Sequence, residues 1–513
     1  MTKLRATKPV NQGLKMTNRF NLIDEPWIPV TGIGLVSLQA LFSNAKYSAL
    51  GGNPVQKIAM TKLLLAIAQS ACTPENNDAW ETLKPDGLAA KCVEYLNKWH
   101  DSFYLYGNKP FLQIPAIKAA VIQNFGAVLV EVSTGNTTVL TQSQVEKTLT
   151  DADKALLLVQ LMGFALGGGR TDNSIVLSAG YQSKTTENGK PSTGKPGSSI
   201  GFCGFLHNFL QGESITETLW LNLFSNEQIL GMGIYPKGLG VAPWELMPTG
   251  ESCIVAEALK SSLMGRLVPV SRFCLIAESG LHYSEGILHS GYKDGIVDPS
   301  ISVNFSGTDF KAIWTDPDKR PWRLLTALLS FLSQGGNTSF DCPQLRLNIK
   351  RVPPFIQNIG IWSGGLRLSS NAGEQFISGL NDFVESIVRI DTALLGKLWF
   401  ENFKLEISKL ENLSKTVYVS TLNYFKSQNM ESKEQAALAG NLFWQLCERK
   451  LNVLITVCDN AATAQTLRPS FLQIAHKAFD TYCPNDTARQ LDAWAKNRPN
   501  LGHYLKPLLK ETV

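Results

Sequence analysis

Apolar residues recur at two distinct periods along this chain, and the period changes mark its elements. Between residues 55 and 71, Ile58, Leu63, Ile67 and Ala68 mark the buried side of an alanine-rich helix. Residues 88–100 predict a further helix. Residues 151–166 predict another, which runs directly into three consecutive glycines. Before them, residues 20–30 read as a short strand, a proline turn and a second extended segment. Residues 110–115 predict a proline-bounded edge strand, and residues 128–132 a strand ending in a Ser133-Thr134-Gly135-Asn136 turn. Residues 201–223 read as a helix after the glycines.

From 224 to 370 the chain is richer in glycine, proline and alternating apolar positions, as antiparallel sheet would be. Residues 341–350 alternate strictly and predict a strand with Arg346, Asn348 and Lys350 on one face. Residues 358–370 and 375–378 flank Ser370-Asn371-Ala372-Gly373, a suitable hairpin tip. Phe376, Leu380, Phe383, Ile387, Ile390 and Leu394 then recur at spacings of four and three, a helical stripe. Helices over 397–426, 431–457, 463–481 and 486–509 follow, joined by short loops. The expected fold is α+β. A polar, disordered extension over 1–19 precedes a mixed domain of antiparallel sheets and helices over 20–375, and a four-helix-type bundle over 376–513 closes the chain.

Composition narrows this picture without overturning it. The 513 residues are 44% hydrophobic and 9% aromatic, enough for two or three cored domains. A formal net charge of +5 permits a nucleic-acid partner without demanding one. No apolar run reaches the roughly 18 residues that span a bilayer, so no membrane partner is expected. The start, Met1-Thr2-Lys3-Leu4-Arg5, leads into polar sequence and not into an apolar signal core. Nine cysteines are scattered with no C-x-x-C pair, which fits reduced thiols and a cytoplasmic location.

The stretch 167–199 carries the most specific chemistry. It begins Gly167-Gly168-Gly169-Arg170 and ends Gly194-Lys195-Pro196-Gly197-Ser198-Ser199. Glycines let a backbone approach a partner closely, and flanking cations with free amides suit an anion, phosphate above all. Gly189 to Lys195 has the G-x-x-x-x-G-K spacing of a nucleotide-binding P-loop. That motif needs Ser or Thr next, as a Mg²⁺ ligand, and a buried strand before it. Pro196 stands in the hydroxyl's place, and the run Gln182 to Asn188 is polar. A nucleotide-dependent enzyme built on this segment is the alternative reading, and a scaffold subunit without DNA contact is a third.

Other catalytic patterns are incomplete. His100-Asp101 has the form of a metal phosphohydrolase pair but lacks further ligands nearby. His282 and His289 are seven apart in glycine-rich sequence and do not form a helical zinc pair. Gly197-Ser198-Ser199-Ile200-Gly201 matches a nucleophile elbow but follows a polar loop where that motif needs a buried strand. No catalytic residue, metal or cofactor is assigned, and the chain is read as non-enzymatic.

The order of several motifs resembles the CasA family, the large subunit of the type I-E CRISPR surveillance complex Cascade. Asn21-Leu22-Ile23-Asp24-Glu25-Pro26-Trp27-Ile28-Pro29-Val30 looks like the family's N-terminal signature. Trp99, Phe103 and Pro110-Phe111-Leu112-Gln113 look like its W-x-x-x-F and P-F-x-Q segment, and Thr218-Leu219-Trp220-Leu221-Asn222-Leu223 resembles its helix after the glycine loop. Pro243-Trp244 and Phe443-Trp444-Gln445 follow in the family's order, although one spacer residue of its P-x-W is missing here.

The resemblance implies a role. Such a subunit lies beside the guide's 5′ end, inspects double-stranded DNA for the protospacer-adjacent motif, starts strand separation and recruits a helicase-nuclease. The implied partners are the other Cascade subunits, CRISPR RNA, target DNA and that helicase-nuclease. The family's glycine loop enters the minor groove, and its counterpart here is Gly167, Gly168, Gly169 and Arg170, or Gly194, Lys195, Gly197 and Ser198. The family's wedge hairpin corresponds to residues 364–371, with Arg367, Leu368, Ser369, Ser370 and Asn371 where an Asn-Gln pair can stand. A loop that contacts the guide handle and the neighbouring subunit corresponds to Glu131, Ser133, Thr134, Gly135 and Asn136. A lysine that reads the motif in one branch of the family has no counterpart near Tyr283 to Tyr292.

Overall fold

The computed structural model describes residues 17–131, 147–168, 171–172, 194–333, 340–371 and 374–505. The expected extension over 1–19 lies almost entirely outside them, while Arg19 already belongs to a strand. The architecture is α+β, with small antiparallel sheets and a helical C-terminal region. The chain folds into two compact units, each built from several stretches.

The first unit comprises residues 1–204, 213–298 and 368–382. At its centre is the Pro54–Ala71 helix, buried on almost every face. Its start is written locally: Asn53 accepts the amide of Gln56, Gln56 reaches back to Asn53, and Pro54 occupies the first turn. The helical stretch Asn77–Lys98, kinked at Lys84 (φ 55°) before Pro85, packs beside it. Trp80 on that helix stacks on Trp220 of the Ile215–Asn222 helix at 4.0 Å, and each indole N–H donates to the other's main-chain carbonyl. A three-stranded antiparallel sheet runs Ile122–Asn124, Gly280–Glu285, Arg272–Ile276.

Two expected strands in this unit do not form among the described residues. Residues 110–115 form a turn, with Leu112 at φ 51° and the Gln113 side chain donating to the Leu105 carbonyl; a 3-10 turn then covers Pro115–Ala119. The prolines at 110 and 115 bound the segment, but Gln113 satisfies main-chain groups that a ladder would have used. Near residue 128 there is a short helix, Phe125–Val128, because the Asn124 side chain caps the amide of Ala127.

The second unit comprises residues 205–212, 299–367 and 383–513. Its sheet has Asn358–Leu366 in the centre, flanked by His207–Gln211 and Phe383–Asp391, all antiparallel. Three expectations are corrected here. The helix read over 201–223 is broken, since residues 207–211 pair in the sheet. The stripe over 376–394 is chiefly a strand. Val384, Val388 and Ile390 are buried while Glu385, Arg389 and Asp391 face elsewhere, and nine residues pair with Asn358–Leu366. Residues 341–350 contain the helix Pro343–Ile349, whose first turn suits Pro343 and whose Arg346 pairs with the Asp341 carboxylate at 2.6 Å.

The C-terminal helices follow the expected order: Lys397–Lys426, Lys433–Glu448, Arg468–Tyr482 and Ala488–Asn497, with short Leu451–Val457 and Ala461–Gln465 helices between. Tyr424, Phe425, Phe479, Cys483 and Ala493 form one of their cores.

Candidate nucleic-acid interface

The Asp151–Phe164 helix begins with a capping box at Thr150 and Asp153 and releases the chain at Ala165, in extended conformation. From there it reaches Gly167 and Gly168. Gly168 and Gly194 exchange both main-chain hydrogen bonds, at 3.0 and 3.2 Å. The arms of the glycine loop are thus closed at the base by a two-residue ladder. Gly169, Arg170 and residues 173–193 lie outside the described residues.

The four described glycines of the loop are buried, and each serves close packing within the chain. A Cβ on Gly167 would come within 3.2 Å of the Pro196 ring, and one on Gly194 within 2.6 Å of Thr171 Oγ1. A Cβ on Gly197 would collide with the Gly163 carbonyl. Gly168 sits at φ +133°, which favours glycine, and a Cβ there would meet Glu374 Cγ at 3.2 Å. Among the described loop residues, Lys195 alone is exposed. Ser198 is half-buried, its amide donating to Ser271 Oγ at 3.3 Å.

Buried charge braces this base. Arg272 is 1% exposed. Its Nη2 donates to the carbonyls of Leu166 and Lys195, one on each arm, and its Nε to the Tyr283 hydroxyl. Glu285, opposite Arg272 in the sheet register, accepts the Lys195 amide at 2.7 Å. Beneath the second arm, Lys62 donates to Ser199 Oγ at 2.7 Å and pairs with the Asp298 carboxylate. Burial pulls the Lys62 pKa down from its usual value, and Asp298 opposes that pull. Val270, two residues before Arg272, is held at φ 51°, a strained conformation for a β-branched residue.

The predicted wedge is a hairpin, Ser369–Asn371 paired with Glu374–Phe376. Ser370 and Asn371 are exposed at its end and Ser369 is half-buried. Leu368 is buried, its amide donating to the Cys203 carbonyl. Arg367 belongs to the second unit and is half-buried. The second strand of the hairpin, in which Gln375 is the register partner of Ser370, docks against the glycine loop through the Gln375 side chain. That side chain accepts the Gly167 amide at 2.8 Å and donates to the carbonyls of Gly201 and Phe202. Of the predicted guide-contact residues, Glu131 accepts from Asn53 Nδ2 at 2.6 Å, while Ser133, Thr134, Gly135 and Asn136 lie outside the described residues.

Gln375, Arg272, Glu285 and Lys62 were not legible as site residues. None belongs to a motif, and each acts on groups far away in sequence: Gln375, Arg272 and Glu285 on main chain, Lys62 on the side chains of Ser199 and Asp298. The P-loop alternative also finds little room here. The amides of Gly194 and Lys195 already serve the Gly168 carbonyl and the Glu285 carboxylate, and a carboxylate repels the phosphate a P-loop would hold. His100 contacts Asp24 at 2.8 Å, linking the N-terminal signature to the end of the Asn77–Lys98 helix. Among the described residues no group of three or more His, Cys, Asp or Glu side chains is placed to hold a metal. Among them, too, no helix is long and apolar enough to cross a membrane.

Comparison with known proteins places the chain in a family. The model of the family "CRISPR-associated protein Cse1" matches residues 21–481. The CRISPR-associated protein CasA/Cse1 of Thermus thermophilus is 30% identical over 169 residues, covering 29% of this chain. That alignment spans 32% of the relative's own length, about a third. The crystal structure of Thermus thermophilus CasA superposes with a TM-score of 0.72 at 19% identity, covering 95% of this chain and 99% of its own. A chain of a CRISPR RNA-guided surveillance complex superposes with a TM-score of 0.64 at 13% identity, covering 93% and 98%.

Proposed function

The chain belongs to the CRISPR-associated Cse1 family, and from that premise we propose that it is the large subunit of a type I-E CRISPR RNA-guided surveillance complex. In this reading it works without catalysis of its own. It assembles with other Cascade subunits and CRISPR RNA, tests double-stranded DNA for a protospacer-adjacent motif, opens the adjoining base pair and recruits the helicase-nuclease. The Gly167–Ser198 loop presents Lys195 and, through Gly169 and Arg170, main chain to the groove, on a base made by the buried Gly167, Gly168, Gly194 and Gly197. Ser369, Ser370 and Asn371 enter the duplex beside it. Glu131, Ser133, Thr134, Gly135 and Asn136 face the guide and the neighbouring subunit.

One observation carries this reading: the exposed Ser370 and Asn371 lie directly across the Ser369–Phe376 hairpin from Gln375 and Glu374, and Gln375 is hydrogen-bonded to the glycine loop. A groove-reading loop and a strand-separating tip must be neighbours if a motif is to license opening of the next base pair. Minor-groove contact by main chain reads a degenerate code, so several related motifs should be accepted. Base pairing with the guide then supplies sequence specificity.

The test is a library of flanking motifs presented to the assembled complex with its guide RNA. Target binding should depend on the motif and fall steeply with salt. Replacing Ser370 and Asn371 by alanine should slow R-loop formation. Motif-independent binding, or opening indifferent to the tip, would sink the proposal. Turnover of ATP with Mg²⁺ that Lys195→Ala abolishes would favour the nucleotide enzyme instead.

A further inference from the structure

Gln375 is 1% exposed, yet Ser370 and Asn371 on the opposite strand of its hairpin are in solvent. Its amide is used at both ends. Oε1 accepts the Gly167 amide at 2.8 Å, and Nε2 donates to the carbonyls of Gly201 at 2.9 Å and Phe202 at 2.7 Å. Its own main-chain N–H donates to the Gly167 carbonyl at 3.1 Å. Gly167 therefore receives and gives one bond to the same residue, as a ladder pair would.

Two further contacts hold the hairpin. The Leu368 amide donates to the Cys203 carbonyl at 3.0 Å, so the other strand is held as well. Glu374 lies where a Cβ on Gly168 would reach, so the loop backbone is pressed against the hairpin. Across the hairpin, Ser370 is the register partner of Gln375 and is exposed. One residue of this pair is locked to the loop while the other faces outward.

We propose that Gln375 is a positioning residue that makes the glycine loop and the strand-opening hairpin one rigid reader. Engagement of the motif by the loop then sets where the hairpin enters the duplex. This rests on the function proposed above. The amide is specifically suited to the place. Leucine would strand the buried Gly167 amide and remove the donor from two partly buried carbonyls, and glutamate would set a second oxygen against those carbonyls.

The experiment uses the full complex with guide RNA and two targets sharing one protospacer. One is fully paired; the other is pre-opened by mismatches beside the motif. Gln375→Leu should slow R-loop formation on the paired target by about tenfold or more, and pre-opening should restore most of that loss. A motif library should show broadened preference. Equal slowing on both targets, or no slowing at all, overturns the proposal.

Should Gln375→Leu fail to assemble, a double-mutant cycle decides. Gly168→Ala and Asn371→Ala combined should differ from the product of the single effects by about threefold or more. A simple product overturns the coupling. If Ser370 and Asn371 variants slow opening while Gln375→Leu does not, the coupling alone falls. If the tip variants themselves change nothing, the underlying function falls.

Discussion

Arg272 Nη2 donates to the main-chain carbonyl of Lys195 at 2.5 Å and to that of Leu166 at 3.0 Å. One buried guanidinium thus ties together the two arms of the glycine loop at its base. Guanidinium geometry suits this, since its fixed fork serves several acceptors at once. Arg272→Met would leave both carbonyls without that partner and should lower stability by about 2–4 kcal/mol. Urea unfolding measures this. Amide exchange at Gly194 and Lys195 should accelerate well before global unfolding, and unchanged exchange there would contradict the bracing role.

The Lys62–Asp298 pair should behave as a buried ion pair, with side chains 2% and 6% exposed. Removing one partner strands the other charge. Asp298→Asn or Lys62→Met alone should cost about 3–5 kcal/mol, while the double variant should recover part of the loss. Denaturant midpoints for the three variants check this, and additive losses would show that the two groups do not share one interaction.

In the helical region, Arg468 meets Glu406 through two bonds, Nη2 to Oε1 at 2.6 Å and Nε to Oε2 at 3.2 Å. Both side chains are almost fully buried. Arg468→Ala should destabilise the helices by about 3–5 kcal/mol, and Arg468→Lys, lacking the fork, should restore only a minor share. Thermal melting followed by circular dichroism reads the order of the three proteins.

His289 gives the fold a pH dependence. Its Nε2 donates to the Pro269 carbonyl at 2.6 Å, and Nδ1 has no partner. Burial, with the Arg266 guanidinium adding to it, pushes its pKa from 6.5 to about 3. The folded value is the lower one, so the unfolded chain takes up the proton first as pH falls. This contribution is intact above pH 6.5 and is lost between 6.5 and about 3, by up to about 1.4 kcal/mol per pH unit. His289→Gln, which keeps an N–H donor, should flatten that slope. Identical slopes in the two proteins would remove His289 from the account.

Local signals explain what could be read early. The Pro54–Ala71 helix announces itself through Asn53, Gln56 and Pro54, and the Lys397–Lys426 helix through a stripe from Phe400 and Phe403 to Ile407 and Leu410. The hairpin over 369–376 was visible in Ser370-Asn371-Ala372-Gly373, but its first strand, read over 358–370, is only Ser369–Asn371, since Asn358–Leu366 pairs instead with Phe383–Asp391 and His207–Gln211. These features depend on neighbours within a turn or two, and the residue pattern contains them. Phe383–Asp391 is the opposite case. Its apolar spacing also fits a helix, and nine pairings with Asn358–Leu366 decided for a strand. The same division runs through the candidate site. The sequence by itself determined that glycines, cations and a polar hairpin tip would occur in that order. Only tertiary structure decided that the described glycines would be buried, and that the hairpin would be pinned to them. The bond from Gly167 to Gln375 spans 208 positions. A main-chain amide advertises nothing about its partner, so that pairing exists only once the chain has closed around it.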